Sequence, residues 1–267
     1  MSIRFRRLAP LLLGVALIVP AAAPPVAVAS TASDAEATML KLVNYERTRR
    51  GLVPMRLDTR LAAIARERSD YQAARDIGSH VHSGNRKVFD LIERDNITWY
   101  AAGEIIAQNR YYPTITDSAK TAVSGWLGSS THRSILLSKG YNYVGFGFAV
   151  NPDSERRYWT GVFMKGPDRT RPWAKFGTVS KQYVSGGWTA VTVRWSGNDT
   201  RLQVLTSGFR YFQVQRRNPG DTWSSWPLTT KTSVTVRWGR GGSKEVRVRS
   251  RDRAGNWSTW RYISIKH

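Results

Sequence analysis

From Val144 to Ala149 the chain alternates large with small, Val144, Phe146 and Phe148 against Gly145, Gly147 and Ala149, a period of two that belongs to an extended strand. Trp159, Gly161 and Phe163 answer it across a turn near Asn151 and Pro152, so the two runs form a hairpin that must pack against something else in the chain. The segments before it supply helices. Met39, Leu42, Val43 and Glu46 lie along one that stops at Gly51, where a positive φ is cheap. Asp58 caps a second helix with an apolar face of Leu61, Ile64, Ala65 and Tyr71. Val88, Phe89, Leu91 and Ile92 make a short third, and Ala122, Val123 and Trp126 mark a fourth that starts from Thr116 or Asp117. Ser129 to Thr131 break that helix, and His132 with Arg133 opens the next turn, which puts an imidazole near a helix N-terminus.

Beyond Gly166 the helical period does not return. The segment Gly166 to Trp173, with two prolines and mixed charge, reads as the start of a linker spanning residues 167–180. The alternating runs at Val191 to Trp195, Tyr211 to Gln215, Val234 to Val236 and Val246 to Val248, separated by Gly, Asn, Pro and Ser, predict a small all-β sandwich over residues 181–267. Arg247, Arg249 and Arg251 fall on one strand face, and Trp257 and Trp260 follow, a combination suited to stacking guanidinium on indole or to a glycan- or polyanion-binding face.

Arg4, Arg6 and Arg7 precede an apolar run from Leu11 to Val19, and Ala27-Val28-Ala29 offers small residues for cleavage, so residues 1–29 are expected to be a secretory signal peptide. No other apolar run approaches the ~18 residues that span a bilayer, so the mature chain is expected to have no transmembrane helix and to be secreted, extracellular or cell wall-associated. Its 267 residues contain no cysteine, and the fold must rest on burial and hydrogen bonds alone, unusual outside the cell. The net charge of +22 is uneven: residues 180–267 carry 16 basic and 4 acidic side chains. Such a surface attracts polyanions, and the expected partners are anionic cell-wall polymers or lipid headgroups rather than nucleic acid, for which no reading motif is present.

Three stretches carry a resemblance: GSHVHSG with His80, YAAGEIIAQN with Glu104, and SGWLGSSTHRS with Trp126 and His132. With LVNYERTRRGLVPMRLDTRLAAIARERS, they resemble the bacterial form of the CAP superfamily (SCP/PR-1-like) over residues 36–166. VTVRWSGND, SGFRYFQVQRR and VRVRSRDRAGNWSTW look like a fibronectin type III-like domain. The resemblance implies an α+β fold, a three-layer α/β/α sandwich followed by an all-β fibronectin-like sandwich. It also implies a ligand cleft of His80, Glu104, Trp126 and His132. Two imidazoles, His80 and His132, could hold a divalent metal such as zinc, with Glu104 orienting one of them or activating water. The position three residues after Trp126, a second glutamate in the fuller family pattern, is Ser129 here, and Ile105 stands where an asparagine usually follows the cleft glutamate. Binding of a lipid, a cell-envelope component or a small apolar ligand is therefore the leading expectation; the alternative is a metal-assisted hydrolase or protease with Glu104 as base.

Overall fold

The structure, a computed structural model, describes residues 26–239 and 243–266, with side chains from residue 32 on. The leader expected at residues 1–29 lies, as far as residue 25, outside the described residues.

The first domain contains helices α1 (Val26–Thr48), α2 (Thr59–Arg75), α3 (Val88–Arg94), α4 (Ile115–Gly128) and α5 (Ser130–Leu136). Its sheet is built from β1 (Arg56–Leu57), β2 (Ala101–Asn109), β3 (Tyr143–Val150) and β4 (Arg157–Lys165) in the order β1-β3-β4-β2. The expected hairpin is β3 with β4, Val144 opposite Phe163 and Phe148 opposite Trp159, while the two-residue β1 pairs parallel to β3. The glycine alternation has a steric cause. A Cβ on Gly145 would lie 2.1 Å from the Ala62 nitrogen, and one on Gly147 2.1 Å from the Ala65 carbonyl oxygen, so the backbone of α2 rests directly on this face of β3.

Val144, Phe146 and Phe148 point the other way, into a cluster with Met39 and Val43 of α1, Ala122 and Trp126 of α4 and Leu136 of α5. On the α2 side, Leu61 and Ile64 pack with Leu91 and Ile92 of α3 and with Val162 and Met164 of β4. Helices thus cover both faces of the sheet, giving the three layers. Asp58 caps α2 by accepting from the Arg60 amide, as its position predicts. Helix α4 begins earlier than expected: Thr114 is its cap, its hydroxyl accepting from the Asp117 amide at 3.0 Å, so Thr116 and Asp117 lie inside the first turn.

The second part is two sheets, β5 (Trp173–Val184), β6 (Trp188–Asn198) and β9 (Ser233–Gly239) in one, and β7 (Phe209–Arg217), β8 (Ser224–Ser225), β10 (Ser243–Asp252) and β11 (Arg261–Lys266) in the other. Val191, Val193 and Trp195 from the first sheet meet Phe212, Val214, Val246 and Val248 from the second in a shared core. On β7 the inward residues are Phe212 and Val214; the run Tyr211, Gln213, Gln215 is the outward face.

The linker expected at residues 167–180 is not one. β5 starts at Trp173, and the residues before it are pinned: the Arg169 guanidinium donates to Asp58 at 3.1 Å, and the Arg169 amide to the Tyr143 hydroxyl at 2.8 Å. The loop after β6 closes the junction from the other side. Leu202 is 3% exposed and packs in the α2-side core, Gln203 accepts from the Val53 amide, and the Val204 carbonyl accepts from Asn142. Prolines and charges mimic a linker in composition, while these contacts hold the segment in place.

Candidate functional site

Glu104 stands on β2, an edge strand, and follows Gly103, where a Cβ would come within 3.0 Å of the Tyr141 hydroxyl and 3.3 Å of the Ile135 side chain. The glycine lets α5 close onto β2. Alternation along the strand sends Ile105 into the α1/α4 core and Glu104 towards α2, where the carboxylate is nearly buried. There Arg68 of α2, wholly inaccessible, donates Nε to Glu104 Oε1 at 2.7 Å and Nη2 to the Ser79 carbonyl at 2.6 Å. The other carboxylate oxygen, Oε2, lies 2.6 Å from His80 Nδ1.

This geometry fixes the chemistry of both partners. A carboxylate can only accept, so a proton sits on His80 Nδ1, and Nε2 is turned away from Glu104. The His80 side chain is 51% exposed, against 4% for Glu104. Glu104 is thus engaged through both carboxylate oxygens, Oε1 by Arg68 and Oε2 by His80. No sequence signal singled out Arg68, which lies on α2 among other charged residues.

His132 is the third residue of α5, its amide held by the Ser129 hydroxyl at 3.4 Å. It is half-buried, and its imidazole is held below the ordinary histidine value, first by burial and then by the charge of His80 across the site. The two imidazoles come from opposite layers of the sandwich, His80 from the loop after α2 and His132 from α5. Trp126 does not join them: it is 1% exposed, its indole N–H donates to the Ile106 carbonyl at 2.9 Å, and its ring stacks beside Phe146. Its place in the cleft is corrected to a place in the core. His82, the other histidine of the loop, is buried against the Tyr71 ring at 4.3 Å, with Nε2 3.6 Å from Glu67.

For a metal, His80 and His132 offer two imidazole nitrogens, and Glu104 is committed to Arg68. A structural zinc takes four protein donors and a catalytic one three, so this donor set falls short. Among the described residues the group of three carboxylate or imidazole side chains that does converge is elsewhere: Asp168, Asp199 and Asp252, with ligand atoms within 4.8 Å of one another at the domain junction. Backbone amides occupy them, those of Thr170 and Ser207 on Asp168, Thr200 and Gly208 on Asp199, and Asn256 on Asp252.

Residues 40–163 match the model of CAP, the Cysteine-rich secretory protein family. This part of the chain is a CAP domain. The uncharacterized protein YkwD of Bacillus subtilis is 28% identical over 135 residues, which cover 51% of this chain and 49% of YkwD. The uncharacterized membrane protein YlbC of the same organism is 30% identical over 133 residues, 50% of this chain and 35% of YlbC. The chain thus spans about half, or less, of the length of the curated relatives it matches. A solved extracellular protein containing an SCP domain from Bacillus anthracis is 22% identical, with a TM-score of 0.46, over 54% of this chain and 45% of that one. Each of these similarities reaches about half of the chain.

That pattern forms a ladder. Arg217 and Arg247 lie over Trp223 at 4.4 and 4.3 Å, Arg247 and Arg249 over Trp260 at 4.3 and 4.4 Å, and Arg249 and Arg251 over Trp257 at 4.0 and 5.1 Å. Arg249, in the middle, is held below the usual arginine value by burial and then by Arg247 and Arg251. No helix among the described residues is long and apolar enough to cross a membrane.

Proposed function

We propose that the chain is an exported binding protein. Its CAP domain takes a lipid or other cell-envelope ligand at the space shared by His80 and His132, and its basic β-rich part, read as fibronectin type III-like, holds it against an anionic surface. The observation that carries binding over turnover is the state of Glu104: Arg68 and His80 occupy both oxygens, so the site has an oriented imidazole and no free carboxylate base. The division of strands into β5-β6-β9 and β11-β10-β7-β8 around one core supports the fibronectin-like reading. The anchoring half of the proposal rests on the 16 basic and 4 acidic residues of positions 180–267.

Cosedimentation tests the two halves separately. The full chain should pellet with vesicles containing phosphatidylglycerol, or with anionic wall polymer, at 0.1 M salt, and be released by 1 M salt as the Debye length falls from ~10 to ~3 Å. His80→Ala should leave that retention intact while weakening capture of the envelope ligand. Retention that persists at 1 M salt would refute the electrostatic anchor, and ligand capture unaffected by both His80→Ala and His132→Ala would remove the cleft. Hydrolysis remains a second reading for one reason, the carboxylate-oriented His80 with a free Nε2 facing solvent, and it predicts turnover of an ester or peptide that His80→Gln abolishes.

A further inference from the structure

We propose that one end of the C-terminal β-sandwich is a site for the phosphate group of an ester, with Arg216 and Lys244 as its cations. The inference rests on the reading of this part as an anchor to an anionic surface, and it names the chemistry that the anchor holds. A cavity of about 360 Å³ lies between the end of β7, the turn that leads to β8, the start of β10 and Trp238 of β9.

Strand register decides which side chains look into it. Phe212 and Val214 of β7 point into the core, so Arg216, two places on, points to the same side. Ser224 of β8 stands opposite Arg216 in the ladder, and opposite residues share a face. Val246, the partner of Arg216 on β10, is in the core as well, which puts Lys244 on that side too. Trp238, 5% exposed, lines the cavity from the other sheet. A guanidinium, an ammonium and a hydroxyl thus reach one opening from three neighbouring strands about 4.8 Å apart.

Their charge names the occupant. Among the described residues neither cation meets a carboxylate: the Arg216 guanidinium lies 5.2 Å from the centre of the Trp226 ring, and Lys244 donates to the side-chain oxygen of Asn218. Asp221, the acidic residue on the lining, accepts from the Asn218 side chain, and Glu245 is engaged by Arg217 at 2.5 Å. Arg247, Arg249 and Arg251 lie on the opposite face of the same sheet and are taken up by indoles. A carboxylate ligand would satisfy one fork, whereas the several oxygens of a phosphate can be divided among the Arg216 fork, the Lys244 ammonium and the Ser224 hydroxyl. The volume exceeds what a bare phosphate fills, which leaves room for the alcohol of the ester beside Trp238.

Glycerol 1-phosphate is the probe and glycerol its uncharged control, titrated into the full chain at about 0.15 M salt and followed in a ¹⁵N–¹H correlation spectrum. The ester should move the Trp238 indole resonance, assigned by its loss in Trp238→Phe, more than those of Trp257 and Trp260, and glycerol should move none. Arg216→Gln with Lys244→Gln should weaken binding at least about tenfold through lost charge-assisted hydrogen bonds. Arg210→Gln with Arg237→Gln removes the same charge from exposed positions outside the cavity and should weaken it less than about twofold. Arg216→Lys keeps the net charge, loses the fork and should still cost about threefold, which preserves the test should the double variant lose its near-ultraviolet indole bands. Displacement by glycerol 1-phosphate from poly(glycerol phosphate), from phosphatidylglycerol vesicles or from both identifies the source of the phosphate. Displacement from neither, equal losses in the two charge-matched pairs, an unaffected Arg216→Lys, or shifts confined to Trp257 and Trp260 would each overturn the proposal. Equal losses would leave the electrostatic anchor standing, whereas retention that survives 1 M salt would remove the anchor and leave the difference between the two pairs untouched.

Discussion

Replacing Glu104 by glutamine keeps the shape of the side chain and removes one charge from a pair that is almost wholly buried. Arg68 is then left inaccessible to water, with Nε facing an amide group and Nη1 already without a partner. Breaking a buried pair from one side costs about 3–5 kcal/mol, because the remaining charge is neither solvated nor neutralised. His80 tells a different story: with half of its side chain in solvent, its contribution through the same carboxylate is screened, and His80→Ala should cost less than about 1 kcal/mol. The double variant Arg68→Met, Glu104→Leu removes both charges and should recover most of the loss. Among the described residues the five α-helices all belong to the first domain, so urea unfolding followed at 222 nm by circular dichroism reports on this domain. A loss below 1 kcal/mol for Glu104→Gln, or a double variant as unstable as the single one, would refute the assignment of Glu104 as the buried anchor of Arg68.

Leu202→Ala should destabilise the helical domain by about 2–4 kcal/mol although the residue lies in the loop after β6, since it empties a place in the α2-side core. A change confined to the fluorescence of the C-terminal tryptophans, with the 222 nm transition unmoved, would show that the junction is loose. Arg249→Ala, which removes a cation from between Trp257 and Trp260 and its bond to Gln213, should cost about 1–2 kcal/mol and alter the near-ultraviolet indole bands, and Arg249→Lys should restore little of it. His82 and His132 are both held below the ordinary histidine value, chiefly by burial, so the unfolded chain binds more protons than the folded one in the window below 6.5. Stability should be fully present above that window and fall as pH drops through the folded values; His82→Phe, keeping the stack on Tyr71, should flatten the dependence, and an unchanged slope from pH 7 to 5 would contradict it.

The layers of the first domain were legible because burial writes a period into the sequence. The glycine alternation of β3 marks the face on which α2 lies, and Asp58 marks where that helix starts. The site was half legible: of the polar residues singled out, His80 and Glu104 are in direct contact. Arg68 and Arg47 were not legible, because each sits on a helix among other charges and only the tertiary structure decides which arginine turns inward. Arg47, also inaccessible, donates to the carbonyls of Val53, Leu136 and Ser138 and ties α1 to the end of α5. Trp126 was misplaced for the opposite reason: it stands close to His132 in sequence, yet the two lie on different helices, α4 and α5, and α4 turns Trp126 into the core. Composition misread residues 173–180 too, where β5 is mostly exposed and so lacks the apolar alternation of a half-buried strand.

The junction also shapes the field of the C-terminal part. Its four acidic residues are all engaged: Asp199 and Asp252 are buried at the junction under backbone amides, Glu245 binds Arg217, and Asp221 is tied to Asn218 in a turn. Negative charge therefore concentrates at the end that joins the CAP domain, while Arg210, Arg237, Arg253 and Arg261 remain exposed on the strands and loops. If the proposed anchoring holds, the faces away from the junction are the ones suited to a polyanion, since the neck carries Asp168, Asp199 and Asp252 together. With Leu202 fixed in the first domain's core, the two parts are joined by packed side chains rather than by a tether.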